Sequence, residues 1–347
     1  MERLQVQGRD RPPQLTHAGR RLLARVLATA LAGAVLLLIP LVPTAPGPVP
    51  GPAAAPTVTP AVVSAAPALV AREDTAVGTT EMYDGEGDWV ATFTLGARTV
   101  AVAGPQRTFD EATAAAAVVS STYVRLLPEP FDGTVDEEWL RSALADTSPD
   151  LLAVAAEYVR DAPVLSDAAG LRIAGEAGYG PASEDGTLEK GADFNDYLGI
   201  AWDYPGKVDQ PEADELGDLD CSGFVRMVFG YRGGMPMTRD PAEGLLPRRS
   251  FEMLEAGPGN VIYRGARQLE EFSRIQPGDL VFFDAQHDGA GQIDHVGVFL
   301  GVDTKGKHRF ISSRTTADGP TMGDRGGRSV LEGSGHYAEA FRGVRRL

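Results

Sequence analysis

The stretch "GDLDCSGFVRMVFGY", residues 217–231, holds the one cysteine of the 347-residue chain. Phe224 with Val228 and Val225 with Phe229 recur at the four-residue spacing of one helix face, and Gly230, Gly233 and Gly234 supply the stop. Asp220 then falls at the N-cap, where a carboxylate accepts the first unpaired amides. This pattern predicts a buried helix with Cys221 in its first turn, where unpaired N–H groups and the helix dipole favour thiolate over thiol. A lone cysteine is often only a small buried hydrophobe. Set between Asp220 and Ser222 at a helix start, Cys221 reads as a nucleophile.

A thiol nucleophile needs a base, and the chain offers His17, His287, His295, His308 and His336. His295 lies in "QPGDLVFFDAQHDGAGQIDHVGVFLG", residues 276–301. There a Pro-Gly-Asp turn leads into a strand over Leu280–Phe283, and a loop rich in Gly and Asp gives way to a second apolar run, Val296–Leu300. The His295 imidazole therefore projects from a strand end.

"DCSGFV", "QPGDLVFF" and "DHVGVFLG", in that order, resemble the NlpC-type cysteine peptidases, papain-like enzymes that cut the stem peptides of bacterial cell walls. The resemblance covers roughly residues 191–347. It implies that Cys221 is the nucleophile and His295 the general base, and that Asp220 and Ser222 hold the free amino end of a stem peptide. The family's third polar residue, usually a His on the next strand, aligns with Ser312 in "HRFISSRTT", residues 308–316, with Ser313 and Asp318 as rivals. The family's aromatic segment upstream corresponds to "LGIAWDYPG", residues 198–206. It puts Trp202 where a tyrosine is usual, either as a donor to a substrate carbonyl or as a packed ring. The separation of Cys221 from His295 exceeds the family's common spacing, which predicts a loop-rich insertion beside the cleft around Met235–Phe272. The basic stretches "PRRS", residues 247–250, and "FRGVRRL", residues 341–347, read as surface, the second as an edge strand with its arginines outward.

The expected fold is α+β, a papain-like core in which the helix bearing Cys221 packs on an antiparallel sheet bearing His295 and Ser312, preceded by a small α+β accessory region. The expected function is an exported cysteine peptidase that hydrolyses amide bonds in peptidoglycan stem peptides through an acyl-enzyme. No cofactor and no metal is implied. Two alternatives use the same fold: a wall-binding module with weak or lost catalysis, and a thiol acyltransferase.

Composition sets the outer limits. A net charge of −16 argues against a nucleic-acid partner, since phosphate binding needs clustered cations. The first 42 residues differ: Arg3, Arg9, Arg11, Arg20, Arg21 and Arg25 outnumber Glu2 and Asp10 and lead into an apolar run, residues 26–42. That is an export signature, acting either as a cleaved signal or as a membrane anchor. Residues 43–76 form a Pro/Ala-rich linker that extends rather than folds. Residues 77–190 make the accessory region, with a hairpin over Trp89–Ala103 and helices over Asp136–Ala145 and Asp150–Val159, and residues 191–347 make the catalytic domain. The expected location is outside the cytoplasm, secreted or held at the envelope. If the leader is cleaved, N-terminal sequencing of the exported protein should read from within the spacer, near Ala53–Pro56. Intact Met1 in the membrane fraction would establish the anchor instead.

Overall fold

The computed structural model describes residues 68–74, 78–183, 188, 191–204, 206–242, 244–265, 272–286 and 292–347. All belong to the compact unit Ser64–Leu347. The leader, most of the linker and His287 lie outside the described residues. Among the described residues no helix is long and apolar enough to cross a membrane.

The architecture is mixed α+β, built on two antiparallel sheets. The first runs in chain order: β1 (Val70–Asp74), β2 (Thr79–Tyr83), β3 (Trp89–Thr94), β4 (Thr99–Phe109) and β5 (Val118–Leu126). The expected hairpin forms as β3 and β4. β1 falls where composition reads as linker, yet it pairs with β2 from Val70↔Tyr83 to Asp74↔Thr79 and remains an exposed edge. Period-two alternation turns Met82, Ala91, Phe93, Val100 and Val102 into one core with Leu140 of helix α1 (Glu137–Ala145). Helix α2 (Leu151–Ala156) starts at Asp150, whose carboxylate caps Ala153 and also takes Arg107 and the Val124 amide. One acidic cap thus fixes both the helix start and its seat on the sheet.

Two short ribbons follow, β6 (Leu165–Ser166) with β7 (Arg172–Ala174) and β8 (Trp202–Tyr204) with β9 (Lys207–Asp209), and between them lies α3 (Phe194–Leu198). Then come α4 (Cys221–Val225), which widens into a π turn over Arg226–Arg232, and α5 (Ser250–Ala256). The second sheet holds β10 (Asn260–Arg264), β11 (Leu280–Phe283), β12 (His295–Val302), β13 (His308–Arg314), β14 (Gly319–Thr321) and, after α6 (His336–Ala340), β15 (Phe341–Arg346). Its spatial order is β10-β15-β11-β12-β13-β14.

One expectation holds and one is corrected here. The described part of Met235–Phe272 is loop-rich, with α5 and strand β10 set within it. The terminal "FRGVRRL" is not an edge: β15 lies between β10 and β11, with Arg345 and Arg346 buried. Arg346 pairs with Asp279 at 2.8 Å and donates to Thr94 Oγ1, while Arg345 donates to the carbonyls of Leu254, Pro258 and Gly259. Guanidinium groups are buried only where such partners wait, and these come from segments distant in the chain.

The second sheet is apolar on both faces. Val296, Val298, Leu300 and Ile311 share a core with Phe224, Val225 and Val228, whereas Phe283, Phe299, Phe310 and Tyr337 pack on the opposite face. Phe109, Val118 and Val124 of the first sheet join the core around α4, and the amides of Arg98 and Thr99 bond the Leu347 carbonyl. The accessory strands and the cysteine helix are therefore packed as one body.

Gly223 lets α4 approach Ala192 closely: a Cβ there would lie 2.2 Å from the Ala192 carbonyl oxygen. Gly223→Ala should therefore destabilise the fold by about 1–3 kcal/mol through overpacking against a backbone atom, despite alanine's better helix propensity. A fall in the urea midpoint at unchanged slope would measure it.

Candidate active site

The cysteine helix starts where the sequence predicts. Asp220 is its N-cap and accepts from the Gly223 amide at 2.7 Å, and its own amide bonds the Ala192 carbonyl. Cys221 is 6% exposed. Its Sγ lies 3.9 Å from the Asp294 carbonyl oxygen, and the Val296 amide points at it. The thiol therefore rests against the backbone on both sides of His295. The imidazole, 7% exposed, packs beside Tyr337 and Phe283, and its Nε2 stands 3.1 Å from Ser312 Oγ.

Register explains why Ser312 occupies this place and its rivals do not. β12 and β13 pair antiparallel through Val298↔Ile311, which sets Phe310, Ser312 and Arg314 on one face and Ile311 and Ser313 on the other. Ser313 Oγ donates to the Leu219 carbonyl, and Asp318 accepts from the Tyr179 amide.

Electrostatics at the thiol differ from the expectation. Burial, and then the charge of Asp220, push Cys221 up to about 12, while the Val296 amide pulls the other way. Burial outweighs the helix end, and the residue that caps the helix is itself an anion beside the sulfur, so both favour the thiol over the thiolate.

Asp220 and Ser222 hold a cation, but it belongs to the chain. Arg248 donates to Asp220 Oδ1 and Oδ2 at 3.2 and 2.9 Å and to Ser222 Oγ at 2.7 Å, also bonds the Gly191 carbonyl, and comes within 3.4 Å of Asp193. Burial opposes ionisation of Asp220, but Arg248, with the Gly223 amide and Ser222, holds its carboxyl below the usual range. The stretch "PRRS" is thus divided, with Arg249 exposed and Arg248 reaching the site. Asp193 also pairs with the fully buried Arg226 at 3.0 Å, fixing the start of α3 to the π turn.

Trp202 meets Phe194 edge-on at 4.9 Å and Tyr231 at 6.0 Å, contacts that account for it as a packed ring. The aromatic beside Cys221 and Asp220 is Tyr179, buried and held protonated by burial and those neighbouring charges. It reaches the site because Gly178 bonds both Gly217 and Leu219, the residues leading into α4. Nothing in "EAGYGPAS", residues 176–183, signals this. Arg314 was also missed, although its alternation with Ser312 along β13 was available.

Among the described residues, Asp196, Glu212 and Glu215 bring carboxylate oxygens within 4.8 Å of one another, on the segment leading to Cys221. Burial, then a hydrogen bond shared with Glu212, pushes Asp196 up to about 8.

A mixed α+β core with a cysteine-bearing helix seated on an antiparallel sheet, next to a strand-borne histidine, is the architecture of papain-like thiol enzymes. Residues 201–324 match the model of the NlpC/P60 family, which is the family the cysteine and histidine motifs resemble. The match takes in Cys221, His295 and Ser312. That family comprises cysteine peptidases and amidases acting on peptidoglycan peptides. No curated protein matches the chain.

The raised Asp196 has a consequence for stability. A carboxyl protonated in the folded state but ionised in the unfolded state adds stability that is complete below about pH 4 and lost as pH rises towards about 8. Thermal midpoints should therefore fall across this window, and Glu212→Gln, which removes the neighbouring charge, should flatten the slope. A scan at half-unit pH steps compares the two.

Proposed function

We propose that the protein is an exported cysteine hydrolase that cleaves an amide bond in peptidoglycan stem peptides, with Cys221 as nucleophile and His295 as general base. The observation that carries this reading is the placement of the Cys221 thiol at a capped helix start against the His295 backbone, with Nε2 of the ring held by Ser312. In this reading Nε2–H donates to Ser312 Oγ and Nδ1 takes the thiol proton. Because burial keeps the thiol protonated, attack is coupled to proton transfer: Sγ bonds the scissile carbonyl carbon as its proton passes to His295. The imidazolium then protonates the leaving amine, and the Cys221 amide, at the open end of α4, is placed to donate to the oxyanion. Water, deprotonated by the same imidazole, releases the acyl group. Ser312 aligns the ring and supplies no charge.

The same geometry bears on the substrate. The resemblance gives Asp220 and Ser222 to a substrate amine, and that place is taken by Arg248. The reading is therefore of an enzyme that accepts stem peptides whose amino end is already in amide linkage. The leader of residues 1–42 and the linker support action outside the cytoplasm, and the accessory region is read as part of the enzyme body.

Mass spectrometry of products from defined stem peptides tests the reading. Wild type should cleave an N-acetylated L-Ala-γ-D-Glu-diamino acid peptide at least as fast as its free-amine form. Cys221→Ala should show none of this activity, His295→Ala should lose about 10²–10⁴-fold, and Ser312→Ala about tenfold, mostly in kcat. Transfer of the acyl group to an added amine in preference to water would identify an acyltransferase. An untouched rate in Cys221→Ala would remove the thiol mechanism altogether.

A further inference from the structure

Arg314 is among the largest fully enclosed side chains of the protein, 2% exposed. Its guanidinium meets only neutral oxygens: Nε donates to Ser312 Oγ at 2.9 Å, Nη1 to the Gly327 carbonyl at 2.7 Å and Nη2 to Ser329 Oγ at 2.6 Å. It lies over the Tyr337 ring at 4.3 Å and the Phe310 ring at 5.0 Å. Among the described residues no carboxylate pairs with it, whereas Arg226, Arg309 and Arg346, also buried, each have one; Arg345, buried among carbonyls, shares this feature but lies away from the site. An unpaired cation in the interior is costly to keep, so its placement calls for an account.

The cation stands one serine oxygen from the base. Ser312 Oγ is 2.9 Å from Arg314 Nε and 3.1 Å from His295 Nε2, so the two nitrogens are at most about 6 Å apart. At that range a like charge disfavours protonation. The Tyr337 ring, under the guanidinium and tilted against the imidazole with its centroid 5.3 Å away, gives a second route.

We infer that Arg314 is a positioning residue which, through Ser312 and Tyr337, keeps His295 neutral at rest and so restrains formation of a thiolate at Cys221. A carboxylate or neutral acceptor at the third position would favour the imidazolium; a guanidinium behind the serine does the reverse. The inference rests on reading Cys221 and His295 as the working pair.

The charged groups described near the ring are engaged by other partners. Asp294, the preceding residue, has its carboxylate on the amides of Ala285 and Gln286. From α4, Asp220 is paired with Arg248. Tyr337 of α6 and Tyr179 are buried phenols held protonated by desolvation, and β11 presents Phe283 to the ring. Burial of Arg314 itself weakens its hold on its proton, and the more distant charges of Glu111 and Asp324 offset this only in part.

The test reads protonation and needs no substrate. In the full-length protein, iodoacetamide alkylation of Cys221 is followed from pH 5 to 10 for wild type, Arg314→Gln, which retains hydrogen-bond donors without charge, and Arg314→Lys, which retains charge. Wild type should react only towards the alkaline end. Arg314→Gln should gain a shoulder at pH 6–7 with a rate about tenfold or more higher, one pKa unit on the histidine being worth a factor of ten. Arg314→Lys should follow wild type. Superposable wild-type and Gln profiles, or an equal gain in Gln and Lys, would overturn the inference. Nitrogen NMR of His295 in the unmodified protein gives a reading independent of variant folding: a neutral ring at pH 6.5 supports the inference, and an imidazolium overturns it. Failure to hydrolyse any stem peptide would count against the proposed activity and leave both readouts standing.

Discussion

The carboxylate of Asp220 is the point on which the site depends. It caps the cysteine helix through Gly223, aligns Ser222 and anchors Arg248, so one buried anion fixes the start of α4, the hydroxyl beside Cys221 and the Arg248 side chain. Losing it would leave Arg248 with Asp193, already paired with Arg226, as its remaining counter-charge beside the thiol, and breaking a buried pair of this kind costs about 3–5 kcal/mol. The same anion sets the chemistry: by lying next to Sγ it reinforces the effect of burial and keeps Cys221 protonated.

Around this point the charges form a layered arrangement. Asp193 joins Arg226 and Arg248, tying α3, the π turn and the Arg248 segment into one network behind the helix. Across the sheet, Arg314 approaches the base from the side opposite α4. Cys221 thus lies by an anion and His295 near a cation, the reverse of the pattern that stabilises a thiolate–imidazolium pair. In the proposed mechanism this keeps the thiol unreactive until attack and proton transfer happen together.

Much of the core of this site was legible in the chain. The four-residue spacing in 217–231, the acidic cap and the two apolar runs flanking a Gly/Asp-rich loop are local patterns, and local backbone preferences decide helix starts and strand periods. Ser312 comes forward only through the family resemblance, with Ser313 and Asp318 as rivals, and the β12–β13 register is what sets it beside His295. Arg314, two residues on, shares its strand alternation, but an arginine on an inward face reads as an exception until its partners are seen.

The sequence by itself determined the mixed α+β class, the helix around Cys221, the strand carrying His295 and the likeness to wall-cleaving thiol peptidases, since each rests on residues close in the chain. The tertiary structure decided which charges reach the site. Arg248 and Arg249 are adjacent and alike in sequence, yet one clamps Asp220 and the other faces solvent. Tyr179, more than forty positions upstream, supplies the aromatic neighbour in place of Trp202, and β15 enters the sheet interior because Asp279 and Thr94 await its arginine. Burial of a charge depends on partners brought from distant segments, and no local pattern records where those partners will stand.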